Sequence, residues 1–136
     1  MNNCIFCKIV RKEAFSDIID ENESIIVITS LENHPLIVTK KHIKDIYELD
    51  DKNGAEVMKE AIKVSKAVKK ALNCDGINLV QSNETAAGQD VFHFHLHIKP
   101  RWIKDDVNLE WSTQLVESKA RKEMTERIKA SLVKVL

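Results

Sequence analysis

The chain has 136 residues, 43% of them hydrophobic and 31% charged, enough for one compact domain with its own core. Its 21 basic and 21 acidic residues cancel, so the basic excess that marks an electrostatic nucleic-acid binder is absent and no nucleic-acid partner is expected. No stretch approaches the roughly 20 apolar residues that cross a bilayer, and the N-terminus MNNCIFCKIVRKEAF lacks a basic-then-apolar leader, so no membrane partner is expected and a soluble cytoplasmic protein is.

Taken in chain order, the first feature is Cys4-x-x-Cys7. Three cysteines do not make a disulfide framework in such a chain, so this pair reads as half of a metal site or as a redox pair. The redox reading is the weaker, because the pair does not follow a strand and open a helix. Cys74 reads as a small buried or helix-end residue. Residues 24–30 (SIIVITS) and 35–40 (PLIVTK) are β-branched runs joined by a polar link, which predicts a hairpin. A short helical connection is expected over 42–49. From about 52 to 72, Val57, Met58, Ala61, Ile62, Val68 and Leu72 recur at helical spacing, with Lys59, Lys63, Lys66 and Lys70 on the opposite face. Asn73 and Gly76 supply its stop. INLVQS at 77–82 predicts a strand, NETAAGQ a loop, and 91–98 a further strand. A last helix is expected from about Gln114 to Val135, and Trp102 and Trp111 are expected to pack against other residues. With 3 glycines, 2 prolines, no repeat and no linker, a single α+β domain over 1–136 is predicted, an antiparallel sheet with helices on one side.

Three of the five histidines occupy 93, 95 and 97 in VFHFHLHIKP. Alternate residues of a strand share a face, so the three imidazoles are expected on one side and Phe92, Phe94, Leu96 and Ile98 on the buried side. Two chemistries compete for that pattern. Two neighbouring histidines could share a metal, but the outer pair is ~13 Å apart along a strand, so all three on one ion is awkward. Alternatively one imidazole is a nucleophile towards phosphorus and its neighbours support it. The small-residue loop AAGQD just before the strand favours the second, because backbone N–H groups there can approach an anion.

The segment 88–101, GQDVFHFHLHIKPR, resembles the signature of the histidine triad family, with Lys99 at the last apolar position. HPLIVTKKHI at 34–43 and CIFCKIV at 4–10 are similar to two further family segments, so the resemblance covers most of 4–101 and leaves a tail and helix at 102–136. It implies a histidine-triad-like fold, with a five-stranded antiparallel sheet, one long central helix and a C-terminal helix, in a homodimer. It implies a nucleotide hydrolase or nucleotidyl transferase acting on purine nucleotides. Substrates would be nucleoside phosphoramidates or related adenylates, cleaved at the α-phosphate through a nucleotidyl-histidine. A dinucleoside polyphosphate hydrolase, a nucleotide-binding regulatory module with vestigial catalysis and a zinc hydrolase with its metal at the triad are the alternatives.

By position, the resemblance makes His95 the nucleophile, His97 the residue that contacts the phosphate and assists the leaving group, and His34 a neighbour that orients His95. Gln89 and the backbone N–H of Asp90 would hold phosphate oxygens, with Ser82 and Asn83 nearby. Ile5, Phe6, Ile9 and Leu36 would wall the base pocket. Some bacterial relatives hold a structural zinc with a matching set, here Cys4, Cys7, His42 and His93, and two thiolates with two imidazoles suit a closed tetrahedral site. This sequence departs from the family in three places. Asp90 stands where Ser or Thr is usual, so its side chain is expected to turn away. Thr39 replaces a proline. The link TSLENH is short, which puts Thr29 and Ser30 near the usual place of a ribose-binding acid and leaves Glu32 unplaced.

Overall fold

The computed structural model describes residues 3–135, in two units that divide between Asp105 and Asp106. The first unit carries helix α1 (Ile5–Val10), strands β1 (Ile18–Glu21), β2 (Ile25–Thr29) and β3 (Pro35–Thr39), helix α2 (Asp51–Leu72), and strands β4 (Gly76–Val80) and β5 (His95–Arg101). The second carries helix α3 (Ser118–Val135), which begins four residues later than the sequence predicts. The five strands form one antiparallel sheet in the order β1-β2-β3-β5-β4. Among the described residues, no helix is long and apolar enough to cross a membrane.

The central strands explain their own composition. Ile25 and Val27 of β2 and Ile37 of β3 pack with Val57, Ala61, Val64 and Val68 of α2. Their neighbours Ile26, Ile28, Leu36 and Val38 pack on the other face with Phe6 and Ile9 of α1. A strand covered on both faces reads as an unbroken apolar run, and SIIVITS and PLIVTK do. Strand β5 is covered differently. Leu96 and Ile98 join the α2 core, with Phe94 just ahead of them, and His95 and His97 face the α1 side.

Local chemistry sets the ends of α2. The Asp50 carboxylate accepts the Asn53 N–H at 2.9 Å, and Asn73 closes the helix in the left-handed conformation, φ 49°, donating to the Lys69 carbonyl at 3.1 Å. Met58 and Ile62 turn away from the sheet and are half-exposed. The Lys63 ammonium reaches Asp20 of β1 at 2.7 Å, and Glu60 is buried beside them. Hydrogen bonding to Glu60, then to Lys63, pushes the Asp20 carboxyl down to about 2. Burial, then Asp20, raises Glu60. This link ties the edge strand to α2.

The structure corrects five expectations. Helices cover both faces of the sheet rather than one, α2 over one and α1 over the other, because the central strands are apolar on both. Residues 42–49 form turns rather than a helical connection, because the Asp45 carboxylate takes the Tyr47 and Glu48 N–H groups and Asn83 takes that of Ile46. β5 starts at His95, not Val91, since the chain over 91–94 is irregular and the Phe94 N–H bonds the Ile43 carbonyl at 2.6 Å. Phe92 lies 44% exposed, with the Lys44 ammonium 5.9 Å from its ring centre, and is not in the core. Trp102 and Trp111 stay 43% and 76% exposed, so neither is packed in a core.

Ile98 is fully buried between the sheet and α2. Ile98→Ala is expected to cost about 2–5 kcal/mol, read as a lower urea midpoint with unchanged slope. A loss below about 1 kcal/mol would contradict this packing.

Candidate active site

His95 is held by β5 against Val38 of β3, with the edge of the Phe6 ring across it, centroids 5.0 Å apart. Its Nδ1 lies 2.7 Å from the His93 carbonyl oxygen. A carbonyl only accepts, so Nδ1 carries the hydrogen. The neutral ring then keeps a lone pair on Nε2. His95 lines a cavity of about 300 Å³ together with His97. Ile5, Phe6, Ile9 and Leu36, the four base-pocket candidates, all line the same cavity. The short link also reaches it through Thr29, Ser30, Leu31 and Glu32.

His34 contacts a different partner from the one expected. Its Nε2 lies 2.8 Å from Nδ1 of His97, so it orients His97 rather than the proposed nucleophile. The Ser30 hydroxyl oxygen accepts the N–H groups of Glu32 and His34 at 3.2 Å and sits 3.2 Å from His34 Nδ1. With its lone pairs taken, the hydroxyl donates to Nδ1. That places the His34 hydrogen on Nε2, facing His97 Nδ1, and leaves His97 with an Nε2–H. Burial, then the neighbouring His95, His34 and Lys99, pushes His97 down to about 4. Burial, then Lys99, also lowers His34. Both rings are therefore neutral near pH 7, as this relay requires.

The expected phosphate loop is built otherwise. Gln89 is buried and its amide is spent on the loop itself: Oε1 accepts the Glu84 N–H at 2.7 Å and Nε2 donates to the Lys44 carbonyl at 2.8 Å. Asn83 exchanges hydrogen bonds with Gln81 and accepts from Ile46, while the Ser82 carbonyl accepts from Gln81. Gln89, Ser82 and Asn83 are not among the residues lining the cavity. Asp90 is, at the exposed rim, with its carboxylate beside His95 rather than turned away from the site. Its Oδ1 accepts the Val91 N–H at 2.8 Å and lies 3.9 Å from His95 Nε2. Sequence reasoning missed Phe15 and Ser16, which also line the cavity. No periodicity marks them in the sequence.

Next to this cavity, Cys4, Cys7, His42 and His93 gather with their donor atoms within 4.8 Å of one another. Cys4 caps α1 and Cys7 lies one turn on, so both thiols face the same way. His93 Nδ1 is 3.4 Å from Cys4 Sγ and 3.5 Å from Cys7 Sγ, and His42 Nδ1 is 3.2 Å from Cys7 Sγ. Bonds of about 2.3 Å to sulfur and 2.0 Å to nitrogen in a tetrahedron give separations of this size. The His93 Nε2–H donates to the Thr39 carbonyl at 2.6 Å, which leaves Nδ1 as a lone-pair donor towards the thiols. Burial pushes His93 down to about 4, keeping it neutral, and burial, then Cys4, raises the Cys7 thiol. These four side chains can hold one metal ion. Cys74 is buried apart from them, among the α2 core.

Residues 11–102 match the family described as HIT domain. Over 139 residues the chain is 32% identical to protein hit of Bacillus subtilis, spanning 98% of this chain and 94% of that one. It is 29% identical over 137 residues to adenosine 5'-monophosphoramidase HNT1 of Saccharomyces cerevisiae, spanning 94% and 84%. The crystal structure of SMU.412c from Streptococcus mutans superposes with a TM-score of 0.92 at 29% identity, spanning 97% of this chain and 87% of that one. The α+β architecture with its five-stranded antiparallel sheet is shared with that structure.

His97 titrates from an ordinary 6.5 down to about 4 in the fold. The fold favours its neutral form, so this contribution to stability is complete above pH 6.5 and is lost as pH falls from 6.5 through 4. Thermal unfolding followed across that window should show His97→Gln with a shallower acid loss than the unsubstituted protein, by on the order of 5 °C at pH 4.5. Parallel curves would contradict a buried neutral His97.

Proposed function

Because the chain belongs to the histidine triad (HIT) family, we propose that it is a nucleotide hydrolase of the zinc-containing bacterial kind, cleaving nucleoside phosphoramidates or related adenylates at the α-phosphate with His95 as nucleophile. The observation that carries this is the His95 Nδ1–H bond to the His93 carbonyl, which assigns the hydrogen of the neutral ring to Nδ1 and its lone pair to Nε2 at the cavity. The name of the yeast relative, a monophosphoramidase, supports the same chemistry.

In this reading the purine lies among Ile5, Phe6, Ile9 and Leu36, and the α-phosphorus meets His95 Nε2. A nitrogen–phosphorus bond forms as the bond to the leaving group breaks. The imidazole then carries positive charge, and the hydrogen bond from Nδ1–H to the His93 carbonyl strengthens with it. His97 Nε2–H, set by Ser30 and His34, is the donor facing the phosphate and the departing atom. Water then attacks phosphorus, restores His95 and releases the nucleoside monophosphate.

The metal cluster is assigned to zinc in a structural role. Bound there, zinc would supply folding energy through four protein ligands and offer no open position for water. Cys4, Cys7 and His42 would thereby fix α1 and the chain after β3 to His93, two residues before the nucleophile. A homodimer is also proposed: β4 is an edge strand with Leu79 exposed, and Met58 and Ile62 on α2 are half-exposed apolar residues that a partner could cover. Residues 1–136 are taken as one functional domain, in a reducing cytoplasm that keeps the thiols free.

His95→Ala should lose at least about a thousandfold in kcat on an adenosine phosphoramidate while binding adenosine monophosphate within a few-fold of the unsubstituted protein. Near-normal turnover would remove His95 as nucleophile. Cys7→Ser should drop zinc from about one ion per chain towards none and lower the Tm, while the fraction still folded keeps most of its turnover. Turnover that tracks zinc content in the folded fraction would place the metal in the chemistry instead.

A further inference from the structure

We propose that Asp90 selects substrates by the charge of the leaving group, favouring a nucleotidyl group carried on a cationic amine over one carried on an anion. The inference rests on reading the cavity as a nucleotidyl-transfer site and adds the property that would divide one substrate from another.

Of the described residues that line the cavity, Asp90 and Glu32 carry carboxylates and none is a lysine or arginine. Lys99 follows His97 by two residues on β5, yet it does not line the cavity. Lys44 is placed over the Phe92 ring. Asp90 Oδ1 stands 3.9 Å from His95 Nε2 and already occupies the Val91 N–H, so a backbone donor beside the reacting nitrogen is filled by the protein's own anion. Every nucleotidyl substrate brings the same α-phosphate charge to this place. What differs among substrates is the group beyond phosphorus. In an in-line approach the leaving atom lies about 5 Å from Nε2, inside the screening distance of about 8 Å at physiological salt. A polyphosphate leaving group adds negative charge beside Asp90, with no lysine or arginine among the described residues of the cavity wall. An amine bearing an ammonium faces attraction instead. The Asp90 side chain is 83% exposed, which screens the effect and sets its scale at about tenfold rather than a thousandfold.

The test uses three adenosine phosphoramidates matched in size, whose leaving amines are propylamine, its ω-ammonium analogue and its ω-carboxylate analogue. On the full-length protein at low salt, kcat/KM should fall in the order ammonium, neutral, carboxylate, with about tenfold between the ends. Asp90→Asn, which keeps an acceptor for the Val91 N–H, should bring the three close to equal. Raising the salt should flatten the unsubstituted protein in the same way. Any effect of Asp90 on the step common to all three substrates cancels in the ratio. A flat order in the unsubstituted protein, or an order unchanged in Asp90→Asn, would overturn the assignment. The same compounds titrated onto the His95→Ala variant read the discrimination as affinity without turnover. Absent turnover in the unsubstituted protein, with a graded affinity series on His95→Ala, would count against the nucleotidyl-transfer reading alone, and a flat affinity series against Asp90.

Discussion

The His93 backbone carbonyl accepts the Nδ1–H of His95 at 2.7 Å, while the His93 ring donates to the Thr39 carbonyl at 2.6 Å and turns Nδ1 to the thiols of Cys4 and Cys7. One residue therefore joins the cluster with Cys4, Cys7 and His42, strand β3 and the ring whose lone pair faces the cavity. If the His93 peptide turned, His95 would lose the acceptor that fixes its tautomer, and if the His93 ring turned, the cluster would lose a donor. Burial keeps the ring neutral and lets a single imidazole serve both contacts.

Around this point the sheet works as a partition. The α2 side holds an apolar core, and the α1 side holds the cavity. Alternation along β5 is what separates the two, placing Leu96 and Ile98 in the core and His95 and His97 in the cavity. The second relay, Ser30 to His34 to His97, comes from the short link between β2 and β3, so the loop that reaches the cavity also sets the hydrogen on His97. The proposed chemistry needs both rings neutral and oppositely committed, one offering a lone pair and the other an N–H. Two hydrogen-bond partners, the His93 carbonyl and the Ser30 hydroxyl, are enough to impose that difference.

Features carried by periodicity were legible in the sequence. The paired strands β2 and β3, the long α2 and the division of 94–98 between two faces all follow from spacing, because burial on a regular element leaves a regular mark. The gathering of Cys4, Cys7, His42 and His93 was legible from residue type together with the resemblance. Features set by irregular backbone were not. α1 is too short to show a period, and β1, with the polar Asp20 and Glu21 in four residues, lacks an apolar run. Gln89 looked like a phosphate ligand because of its place before the strand, but it is buried bracing the loop. Asp90 was expected to turn away from an anion site. In the structure its carboxylate finds the Val91 N–H, a local bond no spacing rule reveals. His34 was assigned to His95 by analogy, and its actual partner depends on the register that sets Leu36 opposite His97.

The central claim is that His95 Nε2 forms a covalent bond to phosphorus before water does. The stereochemical course at a chiral adenosine thiophosphoramidate tests it most directly, with hydrolysis run in isotopically labelled water and the product configuration determined. Two in-line displacements, one by His95 and one by water, predict overall retention at phosphorus. Inversion would mean that water attacks directly, and would contradict the nucleophilic role of His95.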